Sequence, residues 1–323
     1  MPAQLDSMMY VGTTPWHQLG TKLDEPATAA EAITAAGLDW EVGLEPVWVH
    51  RESGAFDTGK YAISNSSTGE VYYVGASDRY VPLQIKDAFR FFDGVVGAGE
   101  AIYHTAGSLK GGRVIWILAK LDGELGLPGD PAEKYIMLSN SHDGSMGVDM
   151  RFCSIRVVCA NTLQAALREG NTPNVRLRHT TTLMQRINDS RSLLGLADAH
   201  FANMMKGMER LADKKLTIPQ SNEYFKKVLG ISKKKKSSSY LTNQLGAIQT
   251  LYHGEGRGAE LVTAKGTAWG AFNAVSEWNE HHRAVRGAVS DLDRLDRRTY
   301  GTFYGDGKNL EERAWAYALG LAK

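Results

Sequence analysis

The sequence has little cysteine and no long apolar run, and these two absences restrict its class. Two cysteines occur in 323 residues, Cys153 and Cys159, and they do not form a CxxC pair, so neither a disulfide framework nor a zinc ribbon is indicated. We expect both thiols to behave as buried small hydrophobes. No run of about eighteen apolar residues is present to span a bilayer. The first twelve residues also lack the pattern of a secretory signal, so we expect a cytoplasmic protein.

Several motifs of common enzymes are also missing. The chain has no Walker A loop, no GxGxxG after a strand, no GxSxG elbow and no HExxH. We therefore expect no cofactor and assign no catalytic residue. The sequence favours a protein that binds over one that catalyses.

An uneven distribution of charge is the most informative property that is present. The net charge is +1, yet residues 1–150 carry 10 basic and 20 acidic residues, whereas residues 151–240 carry 17 basic and 6 acidic ones. Residues 241–323 carry 10 of each. A cationic block steers anionic partners towards it and is typical of nucleic-acid binding. The acidic block is an alternative partner, within the chain or in an oligomer.

The hydrophobic pattern predicts strands first and helices later. This order indicates an α+β fold, with an antiparallel β-hairpin sheet and packed helices in the first half and a mostly helical second half. We expect a β-rich core domain at residues 1–180 and a helical region at 181–323 packed on it, with a flexible basic linker at 232–239. Within these regions the pattern predicts a short helix from Asn161 to Arg168 and a long helix from Leu183 through Leu211.

A group of arginines at the start of the cationic block is the strongest candidate site. Since residues two apart on a strand share a face, Arg176 and Arg178 should point the same way while Leu177 points into the core. Arginines aligned on a sheet face form a groove that follows a phosphate backbone. The alternative is that they pair with the excess carboxylates of residues 1–150. The candidate arginines are Arg151, Arg156, Arg168, Arg176 and Arg178.

Other side chains are candidates for contacts with a nucleic acid. Each stacked base contributes about 1–3 kcal/mol to single-strand binding, and Tyr72, Tyr73 and Tyr80 are candidate stacking platforms; for aromatics on strands the alternative is the core. Lys110 and Arg113 flank the basic tip of a predicted hairpin. A lysine run attracts phosphates without fixed geometry, or serves as a linker alone. Its members are Lys233, Lys234, Lys235 and Lys236.

Two polar segments offer an alternative, metal-dependent chemistry. His142, Asp143 and Asp149 lie near one another in the sequence, and their side chains are types that bind metal ions. The second segment runs from Trp278 to His282. Neither has a recognised ligand spacing, and the residues around His142 are also those that a tight hairpin turn requires. We assign no metal site to either segment.

Several segments spread over nearly the whole chain carry a family resemblance. They are Pro15 to Gly20 (PWHQLG), Tyr103 to Leu109 (YHTAGSL) with Gly112, Arg113 and Trp116, Asn140 to Gly144 (NSHDG), Arg156 to Leu163 (RVVCANTL), Arg178 to Thr180 (RHT), and Gly266 to Val275 (GTAWGAFNAV). These segments resemble the phage/plasmid-like protein family, also called domain-of-unknown-function family 932. The resemblance implies a protein of bacteriophages, plasmids or related mobile elements that works in a bacterial host cell. It implies no activity and transfers no catalytic residue.

The order of hairpins followed by helix, with a basic sheet face, is also similar to the ring-forming single-strand annealing proteins. This likeness is architectural, and fold alone does not determine function. We hypothesise a noncatalytic protein that binds single-stranded DNA, with duplex DNA as a further partner, and that promotes annealing in recombination or replication as a homo-oligomer. We expect no membrane partner. The alternatives are a metal-dependent nuclease or other hydrolase, and a protein-interaction module that acts on host factors.

Overall fold

The computed structural model describes residues 5–12, 20–157, 161–163, 174–231 and 238–323. Three predicted features lie outside these ranges: Cys159, Arg168 and the lysines from Lys233 to Lys236. Among the described residues, no helix is long and apolar enough to cross a membrane.

A large mixed sheet contains most of the strands. Its strands are β1 (Leu5–Val11), β2 (Thr21–Leu23), β6 (Ala101–Leu109), β7 (Val114–Leu127), β8 (Asp130–Ser141), β9 (Val148–Arg156), β10 (Asn161–Leu163) and β11 (Asn174–Leu177). They follow the order β10-β9-β8-β7-β6-β1-β2, and β11 also pairs with β9. β1 and β2 are parallel, whereas β6 pairs antiparallel with both β1 and β7, and β9 pairs antiparallel with β10 and β11.

A smaller antiparallel sheet consists of β3 (Val42–Arg51), β4 (Gly54–Asn65) and β5 (Val71–Ala76), in that order. Val42, Ile63 and Ala76 form its buried core. Trp40 and Tyr80 are among the partly buried side chains that pack against this core. The residues just before and after the small sheet are thus fixed by its hydrophobic contacts.

The remaining elements are helices, and several begin at a residue whose side chain caps the first turn. They are α1 (Ala29–Ala35), α2 (Ile85–Arg90), α3 (Asp93–Gly97), α4 (Leu183–Asp189), α5 (Ala197–Asp213), α6 (Ile218–Val228), α7 (Ser239–Thr250), α8 (Ala268–Glu277), α9 (Asp291–Tyr304) and α10 (Asp306–Leu321). Thr28 and Thr217 each accept a hydrogen bond from the backbone three residues later and complete a capping box. The predicted α+β class is confirmed.

Two predicted helices differ from the structure. Asn161–Leu163, the described part of the first, is strand β10, because its backbone pairs with β9, Asn161 opposite Arg156. The long second helix is interrupted by a 3-10 segment, Ser190–Leu196. The Ser190 hydroxyl donates to the Arg186 carbonyl at 2.6 Å, and such a local bond competes with the continued helix.

The chain forms two compact units of interleaved segments. Unit 1 comprises Met1–Asp122, Ile136–Arg151 and Pro173–Leu196, and unit 2 comprises Gly123–Tyr135, Phe152–Thr172 and Ala197–Lys323. The strands β7, β8 and β9 contribute residues to both units. The division at residue 180 that the sequence indicates stays a prediction.

Each unit has its own apolar core. In unit 1, Phe89, Phe92 and Tyr103 are fully buried, and the Tyr103 hydroxyl donates to the Phe89 carbonyl at 3.0 Å. In unit 2, the ring of Phe272 contacts both Trp269 and Trp315, with centroids 5.9 and 5.1 Å away. These buried aromatics provide rigid supports for the surface groups of each unit.

Candidate nucleic-acid interface

Two exposed arginines flank a buried leucine at the end of β11. β11 runs antiparallel to β9, with Leu177 opposite Val148 and Arg176 opposite Asp149. Leu177 is 3% exposed, whereas the side chain of Arg176 is 70% exposed and Arg178 is also exposed. The predicted alternation is therefore present: Leu177 faces the core, and both guanidinium groups reach solvent.

Asp149 lies between two guanidinium groups. Its carboxylate is within 2.9 Å of Arg176 Nε and 3.2 Å of Arg151 Nε. Asp149 and Arg151 are both buried, so Arg151 does not present its charge to solvent. The contact to Arg151 follows the alternative left open by the sequence, pairing with a carboxylate of residues 1–150. The same carboxylate contacts Nε of Arg176 and so orients its guanidinium group.

Arg156 belongs to a buried network in unit 2. It is 1% exposed, and its Nε and Nη2 donate to the two oxygens of Asp130 at 2.6 and 2.8 Å. Trp269 Nε1 and Thr263 Oγ1 also donate to Asp130, at 2.8 and 3.2 Å. A buried bidentate pair with further donors is a structural ion pair. Arg156 therefore does not offer a surface contact for a phosphate backbone.

The tip of the β6–β7 hairpin holds its arginine against the small sheet. Lys110 adopts a positive φ of 57°, and its carbonyl accepts a hydrogen bond from Arg113 Nη1 at 2.9 Å. Arg113 also pairs with Glu70 at 2.9 Å, and its guanidinium lies 5.4 Å from the centre of the Tyr72 ring. Arg113 is thus half-buried, with one carboxylate partner.

The three predicted stacking tyrosines occupy different environments. Tyr72 is buried, and its hydroxyl accepts a hydrogen bond from Asn65 Nδ2 at 3.0 Å, which is the alternative role in the core. Tyr73 is 40% exposed, and Gly144 would place a Cβ atom 3.5 Å from its ring. Tyr80 is half-buried and stacks on His179 with ring centroids 4.7 Å apart. Exposure of the ring therefore favours Tyr73 as a platform.

His142 is a buried, neutral histidine beside the same surface. Its ring lies 5.5 Å from Trp40 and 6.1 Å from Tyr72, and Asn140 Nδ2 is 3.4 Å from its Nδ1. Burial, with a further contribution from His179, lowers the pKa of His142 to about 3. Its Nε2 has no hydrogen-bond partner among the described residues. The ring is therefore uncharged at neutral pH and keeps one polar atom for another group.

His179 and Tyr80 repeat this arrangement next to Arg178. The Nδ1 atom of His179 lies 3.0 Å from the carbonyl of Val81, so in the neutral ring Nδ1 carries the proton and Nε2 is an acceptor. Burial also lowers the pKa of His179. Neither His179 Nε2 nor the Tyr80 hydroxyl has a hydrogen-bond partner in the part of the chain that the structure describes. Buried polar atoms of this kind usually have a hydrogen-bond partner in folded proteins.

Sequence reasoning did not bring His142 and His179 together. The two residues are far apart in the chain, and the turn residues around His142 were explained by hairpin geometry alone. The available signal was that both segments, Asn140 to Gly144 and Arg178 to Thr180, carry the same family resemblance. Strand pairing between β9 and β11 then places the ends of these segments side by side, since Leu177 lies opposite Val148.

The segment around His142 is a tight turn, as its composition predicts. The Ser141 hydroxyl donates to the Met146 carbonyl at 2.7 Å, and Asp143 Oδ1 accepts from the Ser145 amide at 2.9 Å. No group of three or more His, Cys, Asp or Glu side chains is placed to hold a metal ion within the described ranges. Asp149 is instead engaged by arginines. The hydrolase hypothesis stays a prediction, without a metal centre in this part of the chain.

The surface of unit 1 around β11 thus combines two kinds of group. Arg176 and Arg178 supply exposed positive charge, and Tyr73 supplies an exposed ring, while the Tyr80–His179 stack is half-buried. Charge attracts a phosphate backbone, and rings with neutral donors and acceptors contact bases. The chemistry of the surface matches a ligand that has both components.

Comparison with known proteins identifies the family. Neither a curated protein nor a solved structure matches the chain. A family model matches residues 75–299, which is more than half of the chain and includes β6 to β11 together with both histidine segments. The chain therefore belongs to the family described as Domain of unknown function (DUF932).

Proposed function

We propose that the protein binds single-stranded nucleic acid on the surface of unit 1 around β11. The observation that carries this proposal is the pair of exposed guanidinium groups, Arg176 and Arg178, held on either side of the buried Leu177. Side chains two residues apart on a strand repeat at about 7 Å, which is comparable to the spacing of phosphates along an extended strand. The two arginines would contact neighbouring phosphates.

The local balance of charge supports this role. Arg176 contacts one carboxylate, Asp149, and its side chain is 70% exposed. Among the described residues, no carboxylate lies within ion-pair distance of Arg178. A strand of phosphates would supply the missing negative charge, and its counterions would be released on binding.

The rings beside the arginines support the binding of single-stranded rather than duplex nucleic acid. Tyr73 exposes its ring, and the Tyr80–His179 stack lies one residue from Arg178. Bases of a duplex are already stacked on each other, whereas bases of a single strand are free to stack on protein rings. The exposed ring of Tyr73 would then meet the face of a base.

We propose further that the protein acts in mobile-element recombination or replication, where it promotes annealing of complementary strands. This part of the proposal is supported by the family resemblance of the sequence and by the absence of an assigned catalytic residue. A protein that holds the backbone and leaves base edges accessible lowers the entropic cost of pairing two strands. Annealing is measured by mixing complementary labelled oligonucleotides with the purified protein, and strand lengths should remain unchanged.

Fluorescence anisotropy with labelled single-stranded and duplex oligonucleotides tests the binding proposal. We expect tighter binding to the single strand, and strong weakening between about 50 and 200 mM salt. The double variant Arg176→Gln/Arg178→Gln should bind about tenfold or more weakly, since it loses two charge-assisted contacts. Absence of binding to either oligonucleotide at low salt would contradict the proposal.

A matched control separates a specific contact from a change in net charge. Lys206→Gln/Arg210→Gln removes the same two charges from exposed positions of α5. The control should retain the affinity of the wild type within about twofold, apart from the small effect of total charge. Equal loss in both double variants would show that binding is nonspecific attraction without a site at β11.

A further inference from the structure

A cavity of about 210 Å³ in unit 2 is lined by three arginines. It lies between the π-helical turn Trp278–His282, helix α9 and the first turn of α10. The residues that determine its chemistry are Asn279, Arg283, Arg297, Arg298, Asp306 and Gly307. All of them belong to unit 2, so this cavity is independent of the surface around β11.

Two of the three arginines have no carboxylate partner among the described residues. Arg298 donates through Nη1 to the His281 carbonyl at 2.6 Å, and its buried Nε has no partner in that part of the chain. Arg283 donates through Nη1 to Asn279 Oδ1 at 3.1 Å. Arg297 does have a partner, since its Nε donates to Asp293 at 2.7 Å. Several guanidinium N–H groups therefore remain for an acceptor in the cavity.

The charge of Arg298 is in an unfavourable environment. Burial and the nearby charge of Arg294 both lower the pKa of Arg298, which means that its positive charge is opposed by its surroundings. A partly buried charge without a counter-charge costs free energy, and an anion in contact with it recovers that free energy. Asp306, the carboxylate in the lining, is exposed.

The acidic residues near the cavity have partners of their own: Asp293 pairs with Arg297, and Glu311 bonds to Asn279 and Glu280. Asp293 is already paired with Arg297 and accepts a hydrogen bond from the Val289 amide. Glu311 is buried and accepts a hydrogen bond from Asn279 Nδ2 at 2.9 Å. Burial raises the pKa of Glu311, which favours the neutral form of this carboxyl. Glu280 is also buried nearby.

We propose that the cavity bounded by Arg283, Arg297 and Arg298 binds a phosphate group. Planar guanidinium groups match the oxygens of a phosphate and bind it with paired hydrogen bonds. One water molecule occupies about 30 Å³ in the liquid, so a cavity of about 210 Å³ has room for a phosphate and for part of the molecule that carries it. That molecule is either a free nucleotide or the end of a nucleic-acid strand.

Titration of the full-length protein with inorganic phosphate, at constant ionic strength set with chloride, tests the proposal. We expect saturable binding by isothermal titration calorimetry. Arg283→Gln and Arg298→Gln should each weaken it by about tenfold or more, because each removes a charge-assisted donor pair. Arg210→Gln changes an exposed arginine of α5 outside the lining and should change the affinity by less than about twofold. Circular dichroism verifies that each variant is folded. Arg298 also donates a hydrogen bond to the His281 carbonyl, so Arg298→Gln affects the local structure as well. Arg283→Gln is therefore the second, independent variant.

Two outcomes would overturn the proposal: no saturable phosphate binding by the wild type, or equal weakening in all three variants. Further arms identify the source of the phosphate. A nucleoside monophosphate represents the free nucleotide, while an oligonucleotide with a 5′-phosphate and its 5′-hydroxyl counterpart represent a strand end. The Arg176→Gln/Arg178→Gln protein should bind inorganic phosphate like the wild type, so failure of this proposal is distinguishable from failure of the nucleic-acid proposal.

Discussion

Burial divides the arginines of the cationic block at the scale of single residues. Arg151 and Arg156 are 6% and 1% exposed and pair with carboxylates of the acidic block, Asp149 and Asp130. Arg176 and Arg178 are exposed. The same residue type in the same segment thus has two roles: a guanidinium buried together with its carboxylate stabilises the fold, whereas Arg176 contacts Asp149 and still reaches solvent.

Arg156→Met should destabilise the protein by about 3–5 kcal/mol, because it leaves the buried Asp130 carboxylate without its positive partner. Trp269 and Thr263 would still donate to Asp130, but they carry no charge. Urea denaturation measures the change. Lys22→Met, which removes an exposed ion pair with Asp24, is the control and should leave the midpoint unchanged. A similar midpoint for Arg156→Met and the wild type would contradict the structural role of Arg156.

His200→Phe should flatten the pH dependence of stability between pH 6.5 and 4. Burial lowers the pKa of His200 to about 4, whereas an unfolded histidine binds its proton near pH 6.5. Between these two pKa values the unfolded state binds more protons than the folded state. The free energy of unfolding therefore falls as the pH falls, by up to about 1.4 kcal/mol per pH unit. The His200 ring stacks on Phe152, so a phenylalanine ring fits the same contact.

Urea denaturation of wild type and His200→Phe at several pH values measures this difference. The exposed His50→Gln serves as the control and should retain the slope of the wild type. If His200→Phe keeps the same slope as the wild type, His200 does not change its protonation on unfolding and the prediction is wrong.

At the scale of elements, local sequence patterns predict the type of a secondary-structure element better than they predict where it ends. Alternating residues around Leu177 predicted which side chains face solvent, and the composition of Ser141 to Met146 predicted a turn. The helix prediction is wrong for Asn161–Leu163, because this strand depends on pairing with β9, a contact that local periodicity does not report. The interruption begins at Ser190, whose hydroxyl bonds to the Arg186 carbonyl. Partner strands and single local bonds are invisible to a hydrophobic pattern.

The candidate site was predictable only in part for the same reason. The strand period is enough to predict that Arg176 and Arg178 share a face. Which arginines are buried depends on where Asp130 and Asp149 lie in three dimensions. The contact between Tyr80 and His179 joins segments about a hundred residues apart, and it forms because the residues before α2 lie beside the end of β11.

Gly147→Ala should displace β11 and weaken nucleic-acid binding. A Cβ atom at this position would lie 2.2 Å from the Leu177 carbonyl oxygen, so β9 and β11 could not keep their spacing. We expect a loss of about 1–3 kcal/mol of stability, measured by urea denaturation, together with weaker binding by anisotropy. Gly246→Ala in α7 has no atom within 4 Å of the new Cβ and is the control. Unchanged affinity in a folded Gly147→Ala protein would show that the position of β11 does not matter for binding.

At the scale of the whole molecule, the residues of the acidic and cationic blocks have more than one role. Where acidic and basic residues meet in buried pairs, as Asp130 and Arg156 do, they stabilise the fold. Other cationic groups are not buried in this way, and among the described residues they include those around β11 in unit 1 and around the cavity beside α9 and α10 in unit 2. The net charge of +1 therefore does not describe what an anionic partner encounters at either place.

The salt dependence of single-strand affinity tests the central claim most directly. Each phosphate neutralised on a single strand contributes about 0.7 to the slope of log affinity against log salt concentration. Compared with the wild type, Arg176→Gln/Arg178→Gln should therefore show a slope that is shallower by about 1.4, whereas Lys206→Gln/Arg210→Gln should keep the wild-type slope. Equal slopes for the wild type and Arg176→Gln/Arg178→Gln would contradict the claim that these two arginines hold the phosphate backbone.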